Sequence, residues 1–445
     1  MRTIITILVL TFITIFESSA QEINTAKLDS FFNSLEVNNK SMGSFAVSKN
    51  GAIVYQRSLG YRLLDKTDSI RANAETQYRI GSITKTFTAT MIFQLIDEGK
   101  LALDTKLAKF FPQLPNAEKI NIENLLMHSS GLMDYVNEIS DKSWITKPHP
   151  KKELLDTITR RKVNFEPGAK QQYSNSGYLL LGYILEKITG KTYDKSLEQR
   201  ILKKIGLKST SASKLNNTGV LEARPYSRAN SWENVTDIYF PNVIGVGDIL
   251  STPSDLLTFI NALTSGKLVS PDSYSKMTDF NEKSIFGRGL VKVPFYNQSG
   301  VGHTGGTYGT FSALFSFPSS GFSIASCVNG LNYPINDISI AILSICNNVN
   351  FRVPTFKEYS VRTEDLDPYL GVYATAEIPI KITITKNGKS LVAQPTGQEA
   401  IPFEAFEKDK FRFDGAGMTL EFNVKKEEMI TTQGGRTIIF TKEKK

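Results

Sequence analysis

At 445 residues the chain exceeds the length at which a single core keeps growing, so two domains are expected from a composition that is otherwise that of a globular protein. The 52 Lys+Arg outnumber the 44 Asp+Glu to give +8, but the basic residues are scattered and cluster only at Lys442, Lys444 and Lys445, which excludes a nucleic-acid footprint and leaves a mildly cationic surface suited to a membrane or cell wall. Two cysteines exclude a disulfide framework, and since Cys327 and Cys346 each sit in an apolar run, both are expected as buried free thiols.

Residues 1–20 read as a targeting signal. Arg2 is the positive start, residues 4–16 an apolar run too short to span a bilayer comfortably, and Ser18-Ser19-Ala20 the small residues before a cleavage point at Gln21. No cysteine follows to carry a lipid, so the expected product is exported, periplasmic or secreted. A short amphipathic helix is predicted over residues 27–35, then strands over 43–48 and 52–59 joined at Asn50-Gly51, a dipeptide that favours a tight hairpin. A polar segment, 65–76, leads into the stretch on which the chain turns.

That stretch is YRIGSITKTFTATMIFQ, residues 78–94. An extended segment ends at Ile80, Gly81 permits a sharp turn, and Ile83, Phe87, Met91 and Leu95 recur at helical spacing, which puts Ser82 in the first turn of a helix. Lys85 follows one turn later, where its amine folds back toward the Ser82 hydroxyl. A serine beside a lysine is a nucleophile and base; the plain alternative is a capping serine with a surface lysine. Ser-x-x-Lys also occurs at Ser211/Lys214 and Ser273/Lys276, in polar segments expected to be loosely held, whereas only Ser82 sits at a strand-to-helix junction where free backbone amides converge.

Further on, a loop with apolar anchors is expected over 101–112 and a helix over 122–127 that stops at Gly131, with His128 as a structural histidine satisfying loop carbonyls. The polar, aromatic run 134–150 is suited to lining a cleft. A helix over 151–161 and a turn at 165–168 precede Tyr173-Ser174-Asn175, whose first and third side chains can point the same way just ahead of an apolar helix over 178–188. These three residues equally suit a helix cap. Tyr135-Val136-Asn137 repeats the pattern without a rigid helix behind it and reads as chance. Residues 243–259 combine a glycine-rich turn with a helix capped near Ser251 or Ser254, and the glycines form no phosphate loop.

Residues 301–306, VGHTGG, read as a strand ending in small residues, followed by strands at 311–317 and 322–328 around a turn at 318–321 and a helix over 335–345. A helix and hairpin early with strands and a helix late imply one antiparallel sheet closed by both ends of a first domain, the helical middle forming a second lobe. From about residue 355 the pattern changes to short strands at 369–373, 380–385, 391–394, 411–413, 420–424 and 437–441, separated by turns such as Asn387-Gly388 and Asp414-Gly415. The expected domains are therefore 21–354, an α+β unit, and 355–445, a small all-β meander or barrel.

Ser82-Ile83-Thr84-Lys85, Tyr173-Ser174-Asn175 and His303-Thr304-Gly305 stand in a fixed order, supported by LLMHSSGL at 125–132 and FEPGAKQQYSNSGYLLLG at 165–182. Together they resemble the penicillin-recognising serine hydrolases, in the branch of class C β-lactamases, D-alanyl-D-alanine carboxypeptidases and related esterases, over roughly residues 24–350. The C-terminal module is similar to the lipocalin-like appendage of some members. The resemblance implies a β-lactamase/transpeptidase-like fold and an acyl-enzyme on Ser82, with Lys85 and Tyr173 sharing proton transfer, the choice of base being left open. Asn175 would hold the substrate amide or Lys85. His303, Thr304, Gly305 and Gly306 would bind substrate, and the N–H groups of Ser82 and Gly306 would form the oxyanion hole.

His303 stands where family β-lactamases carry a lysine that helps hold a substrate carboxylate, and a histidine is only partly charged near neutrality, so strong β-lactamase activity is not expected. No cofactor or metal is implied. The expected partner is a small molecule or short peptide, with D-Ala peptides, D-amino acid amides, short esters and β-lactams all open. A catalytically silent binding or assembly protein is the alternative.

Overall fold

A computed structural model describes residues 23–212, 221–228, 231–280, 284–356, 359–433 and 436–443; the expected signal segment lies outside them. Helix α1, Thr25–Val37, is capped by Asn24, whose side chain accepts from the Lys27 N–H, and it buries Leu28, Phe31, Phe32 and Leu35 at helical spacing. Strands β1, Ser41–Lys49, and β2, Ala52–Leu59, form the expected hairpin, with Asn50 and Gly51 at φ 51° and 84°. The polar segment that follows is not a plain loop. Tyr61–Leu64 and Ser69–Arg71 pair there as a second short hairpin.

Helix α2, Thr84–Asp97, is buried at every position from Thr84 to Leu95. A helix buried all round must satisfy its hydroxyls, and Thr86 donates to the Gly289 carbonyl and Thr88 to that of Gly245, both at 2.8 Å. Phe87 stacks on Phe259 with ring centroids 3.6 Å apart. Around α2 lie α3, Ile122–Leu126, α4, Lys151–Thr159, and α5, Asn175–Thr189, which ends at Gly190 in the left-handed region. Helix α6, Pro253–Thr264, is capped by Thr252, which accepts from the Asp255 N–H, rather than by Ser251 or Ser254; proline at the first helical position makes the preceding residue the cap.

Four strands return to the hairpin: β3, Val291–Phe295, β4, Gln298–Gly306, β5, Phe311–Phe317, and β6, Phe322–Leu331. The antiparallel order is β3-β4-β5-β6-β1-β2, so the two ends of the first unit meet where β1 pairs with β6. Alternation sends Phe45, Val47 and Ile324 to one face, under α1 and α7, Ile335–Cys346, and Ala46, Ala325 and Cys327 to the other, against α2 and α6. Cys327 and Cys346 are buried free thiols. Among the described residues, no helix is long and apolar enough to cross a membrane.

The C-terminal strands close into an eight-stranded antiparallel barrel. They are β7 (Gly371–Ala374), β8 (Ile382–Asn387), β9 (Ser390–Pro395), β10 (Ile401–Glu407), β11 (Lys410–Phe413), β12 (Met418–Asn423), β13 (Glu428–Gln433) and β14 (Arg436–Lys442). Each pairs with the next, and β7 closes on β14. Sequence reading missed β10, which starts on Ile401-Pro402 and loses its alternation at a bulge after Ala405, and β13, whose six residues place apolar Met429 and Ile430 side by side and so show no alternation. Tyr369, Phe411 and Phe422 pack in the closed interior, so the barrel is filled rather than hollow.

An ion pair joins the barrel to the start of the sheet. Lys40, just ahead of β1, places Nζ 2.6 Å from Asp414 Oδ2, with side-chain exposures of 6% and 14%. Lys40→Ala leaves a shielded carboxylate with Arg412 beside it at 3.4 Å, and should lower unfolding free energy by about 3 kcal/mol in chemical denaturation. An unchanged midpoint would show that the junction is held by other contacts.

Candidate active site

Residues 78–82 run under the end of β4 and are fastened at the entry to β5, where Thr310, just ahead of the strand, donates to the Arg79 carbonyl at 3.0 Å and Ser312 to that of Ile80 at 2.7 Å. The strand crosses so closely that only glycine fits: a Cβ at Gly305 would lie 2.0 Å from the Ile80 oxygen and 2.9 Å from the Ser82 nitrogen. Gly81, at φ 50°, faces the Gly306 nitrogen in the same way. Ser82 itself sits in a 3₁₀ turn, Gly81–Ile83, that feeds α2 at Thr84, one step ahead of the α-helical turn expected.

Three side chains from distant segments converge. Lys85 Nζ donates to Ser82 Oγ at 2.9 Å and to the Val246 carbonyl at 3.0 Å, and Tyr173 OH donates to Ser82 Oγ at 2.7 Å. Lys85 is fully buried. Desolvation lowers its pKa to about 7, against the field of Asp134, which raises it. Burial pushes the Tyr173 phenol up despite its bond to Ser82. Near neutrality a large share of the amine is therefore uncharged while the phenol keeps its proton, a state in which Lys85 can accept a proton and Tyr173 can donate one.

The supports of this trio were largely invisible in the sequence. The glycine-rich turn before α6 aims the Val246 carbonyl at Lys85 and is itself held by Gly245 N–H donating to Asp248 at 2.9 Å. Burial raises the Asp248 carboxyl to about 7. His128, at φ 55°, stacks on Tyr173 at 4.5 Å, and its Nδ1 lies 3.2 Å from the Ser174 N–H and carbonyl, so it serves loop backbone as expected and also backs the catalytic-cleft phenol. Burial first, then the Lys85 charge, lowers His128 to about 3.

A cavity of about 250 Å³ opens beside Ser82, lined among others by Asn137, Tyr173, Asn175, Val246, Gly306 and Tyr308. None of its described lining residues carries a formal charge. Asn175 is the first residue of α5, not part of a preceding loop, and its Nδ2 donates to Asp134 Oδ1 and Oδ2 at 3.1 and 3.0 Å. Ser174 does not cap α5; its hydroxyl turns to the Leu132 carbonyl. Asn137, dismissed as a chance repeat, reaches the cavity, while its neighbour Tyr135 points into the core and donates to the Asn242 carbonyl at 2.7 Å.

Of the His303-Thr304-Gly305-Gly306 stretch, Gly306 lines the cavity and Gly305 packs on the Ser82 backbone. Thr304 is exposed on the face opposite His303, because strand side chains alternate. His303 departs from the part-charged residue expected. It is buried, and desolvation with the nearby Lys85 charge lowers it to about 4, so it is neutral at neutral pH. The Ser273/Lys276 pair is not such a site. Ser273 is firmly held, buried on the helix Pro271–Met277 with its hydroxyl donating to Asp97 at 2.6 Å, and Lys214 lies outside the described residues.

An antiparallel sheet flanked by helices, with serine, lysine and tyrosine meeting at the head of a buried helix, defines a serine hydrolase of the β-lactamase/transpeptidase-like fold. The family model described as Beta-lactamase matches residues 39–344, and the chain belongs to that family. It is 29% identical over 311 residues to PbpX of Bacillus subtilis (strain 168), named for the penicillin-binding proteins, covering 68% of this chain and 75% of that one. It is 27% identical over 254 residues to the teichoic acid D-alanine hydrolase of Staphylococcus aureus, a match covering 55% of this chain and spanning 59% of that protein's length. Among solved structures, the D-amino acid amidase of Ochrobactrum anthropi SV3 superposes with a TM-score of 0.64 at 26% identity, covering 73% of this chain and 100% of that one. The octameric penicillin-binding protein homologue of Pyrococcus abyssi superposes with a TM-score of 0.66 at 25% identity over 94% and 100%.

The pKa of Lys85 sets a pH dependence. Labelling of Ser82 by a neutral fluorophosphonate should rise with pH through about 7, as the amine loses its proton, and then level off. His303→Gln should leave that limb in place, since His303 does not titrate there. A limb that moves with His303 would show that the imidazole carries charge in the working range.

Proposed function

We propose that this chain hydrolyses small D-aminoacyl esters or amides whose leaving group carries no carboxylate, through an acyl-enzyme on Ser82. Ser82 Oγ attacks the acyl carbon while its proton passes to Lys85 Nζ. As the bond to the leaving group breaks, Tyr173 OH protonates the departing oxygen or nitrogen and recovers a proton from Lys85. Water then repeats the sequence in reverse to release the acid. The N–H groups of Ser82 and Gly306 are the oxyanion donors, each worth about 3 kcal/mol.

The observation that carries the choice of substrate is that no described residue lining the cavity is a cation that could meet a carboxylate. The described cavity lining is uncharged, and His303 is neutral at neutral pH. A β-lactam or a peptide ending in a free carboxylate would bring an uncompensated charge into this site, whereas an alkyl ester or primary amide would not. The relatives named for D-alanine hydrolysis and D-amino acid amidase activity support the same reading. Export, argued from Arg2 and the apolar run behind it, would place such an enzyme beside cell-wall D-alanyl groups.

A panel of D-alanyl methyl ester, D-phenylalanine amide, a D-Ala-D-Ala peptide and a chromogenic cephalosporin should give turnover with the first two and at least about 10²-fold lower kcat/KM with the carboxylated pair. Ser82→Ala should abolish turnover and the acyl adduct seen by intact mass, and Lys85→Met should cost about 10²–10⁴-fold in kcat. Equal efficiency on the carboxylated substrates would overturn the substrate assignment. Activity surviving in Ser82→Ala would overturn the nucleophile, and an inert wild-type chain would return the silent binding protein to favour.

A further inference from the structure

Asp134 belongs to none of the three motifs, yet beside the cavity its side chain accepts hydrogen bonds from three residues. It is 3% exposed. Its Oδ1 accepts from the Val136 and Asn137 N–H groups at 2.9 and 3.2 Å, and its Oδ2 from Asn137 Nδ2 at 2.8 Å. Both oxygens also take the Asn175 amide nitrogen, and the Asp134 N–H is itself held by Glu138 at 3.0 Å. A buried carboxylate is acceptor-only, so it admits just one orientation of an amide facing it.

We propose that Asp134 is a positioning residue that sets substrate choice: by holding the Asn175 nitrogen, it leaves the Asn175 carbonyl oxygen as the group offered to substrate. An acceptor beside Ser82 selects an acyl group that carries a hydrogen-bond donor next to the reacting carbonyl, such as the amine of an aminoacyl ester, over one that carries none. This deepens the acyl-enzyme reading above and rests on it.

A second consequence follows from charge. Lys85 is faced by Tyr173 ahead of α5, Tyr178 on α5, His128 on the loop after α3, His303 on β4 and the Asp248 turn, and Asp134 is the neighbour whose field raises its pKa. Neutralising Asp134 therefore acts on the amine as well as on Asn175.

The test compares D-alanyl and propionyl thioesters, which differ in the amine, on the wild-type chain, Asp134→Asn and Asn175→Ala. Titration of Ser82 with a fluorophosphonate counts folded sites. In Asp134→Asn the KM for the D-alanyl compound should rise about tenfold while that for the propionyl compound changes little, and the ratio of kcat/KM at pH 6 to that at pH 8 should rise about threefold. In Asn175→Ala the D-alanyl preference should fall as far with the pH limb unmoved.

A merely structural role would lower the titratable fraction without changing either ratio. Discrimination and limb both retained in Asp134→Asn would overturn the proposal. Should that variant not fold, retained discrimination in Asn175→Ala overturns it instead. A wild-type chain that neither thioester nor probe acylates would sink the hydrolase reading itself, whereas normal wild-type turnover with unmoved variants would sink only the role of Asp134.

Discussion

The removal of one amine from water governs the rest of this molecule. Lys85 is enclosed by α2, α5 and the turn before α6, and the desolvation that would otherwise be a defect brings its pKa from the ordinary lysine range to about 7. An amine so placed must still be hydrogen-bonded, and the Val246 carbonyl and the Ser82 hydroxyl meet that need. The Lys85 burial that weakens the ammonium is the same burial that keeps the Tyr173 phenol protonated, so one environment pushes two groups into complementary roles.

That enclosure explains features of the fold with no chemistry of their own. The threonines of α2 can be buried because their hydroxyls find carbonyls, Thr86 and Thr88 on neighbouring segments and Thr90 one turn back in the helix. Glycine at 81 and 305 lets β4 lie against the Ser82 backbone without a side chain between them. The histidine behind Tyr173 contributes a flat ring and backbone contacts, and its lowered pKa keeps a second positive charge away from Lys85.

The neutral His303 links the same physics to substrate choice. A histidine at this strand position would serve a carboxylate only if charged, and both burial and the Lys85 charge oppose that. The cavity left beside Ser82 is small, uncharged in its described lining, and bounded by the amide of Asn175. The barrel stands apart from this chemistry, with its own filled core and an ion pair joining it to the start of β1.

The serine, lysine and tyrosine that meet beside the cavity were legible from the chain alone, because spacing within one helical turn and the order of three short motifs are properties of sequence. The hairpin at Asn50-Gly51, the strands of the sheet and the all-β character of the C-terminal part were readable for the same reason. Two barrel strands were not, since Pro402 in one and the adjacent apolar Met429 and Ile430 in the other hide an alternation that only their neighbours impose. The burial that lowers Lys85 and His303, and the contacts that bring Asn137 to the cavity and Asp134 to Asn175, exist only in the tertiary structure. Desolvation and the field at an atom are sums over segments far apart in the chain, and no local pattern records them.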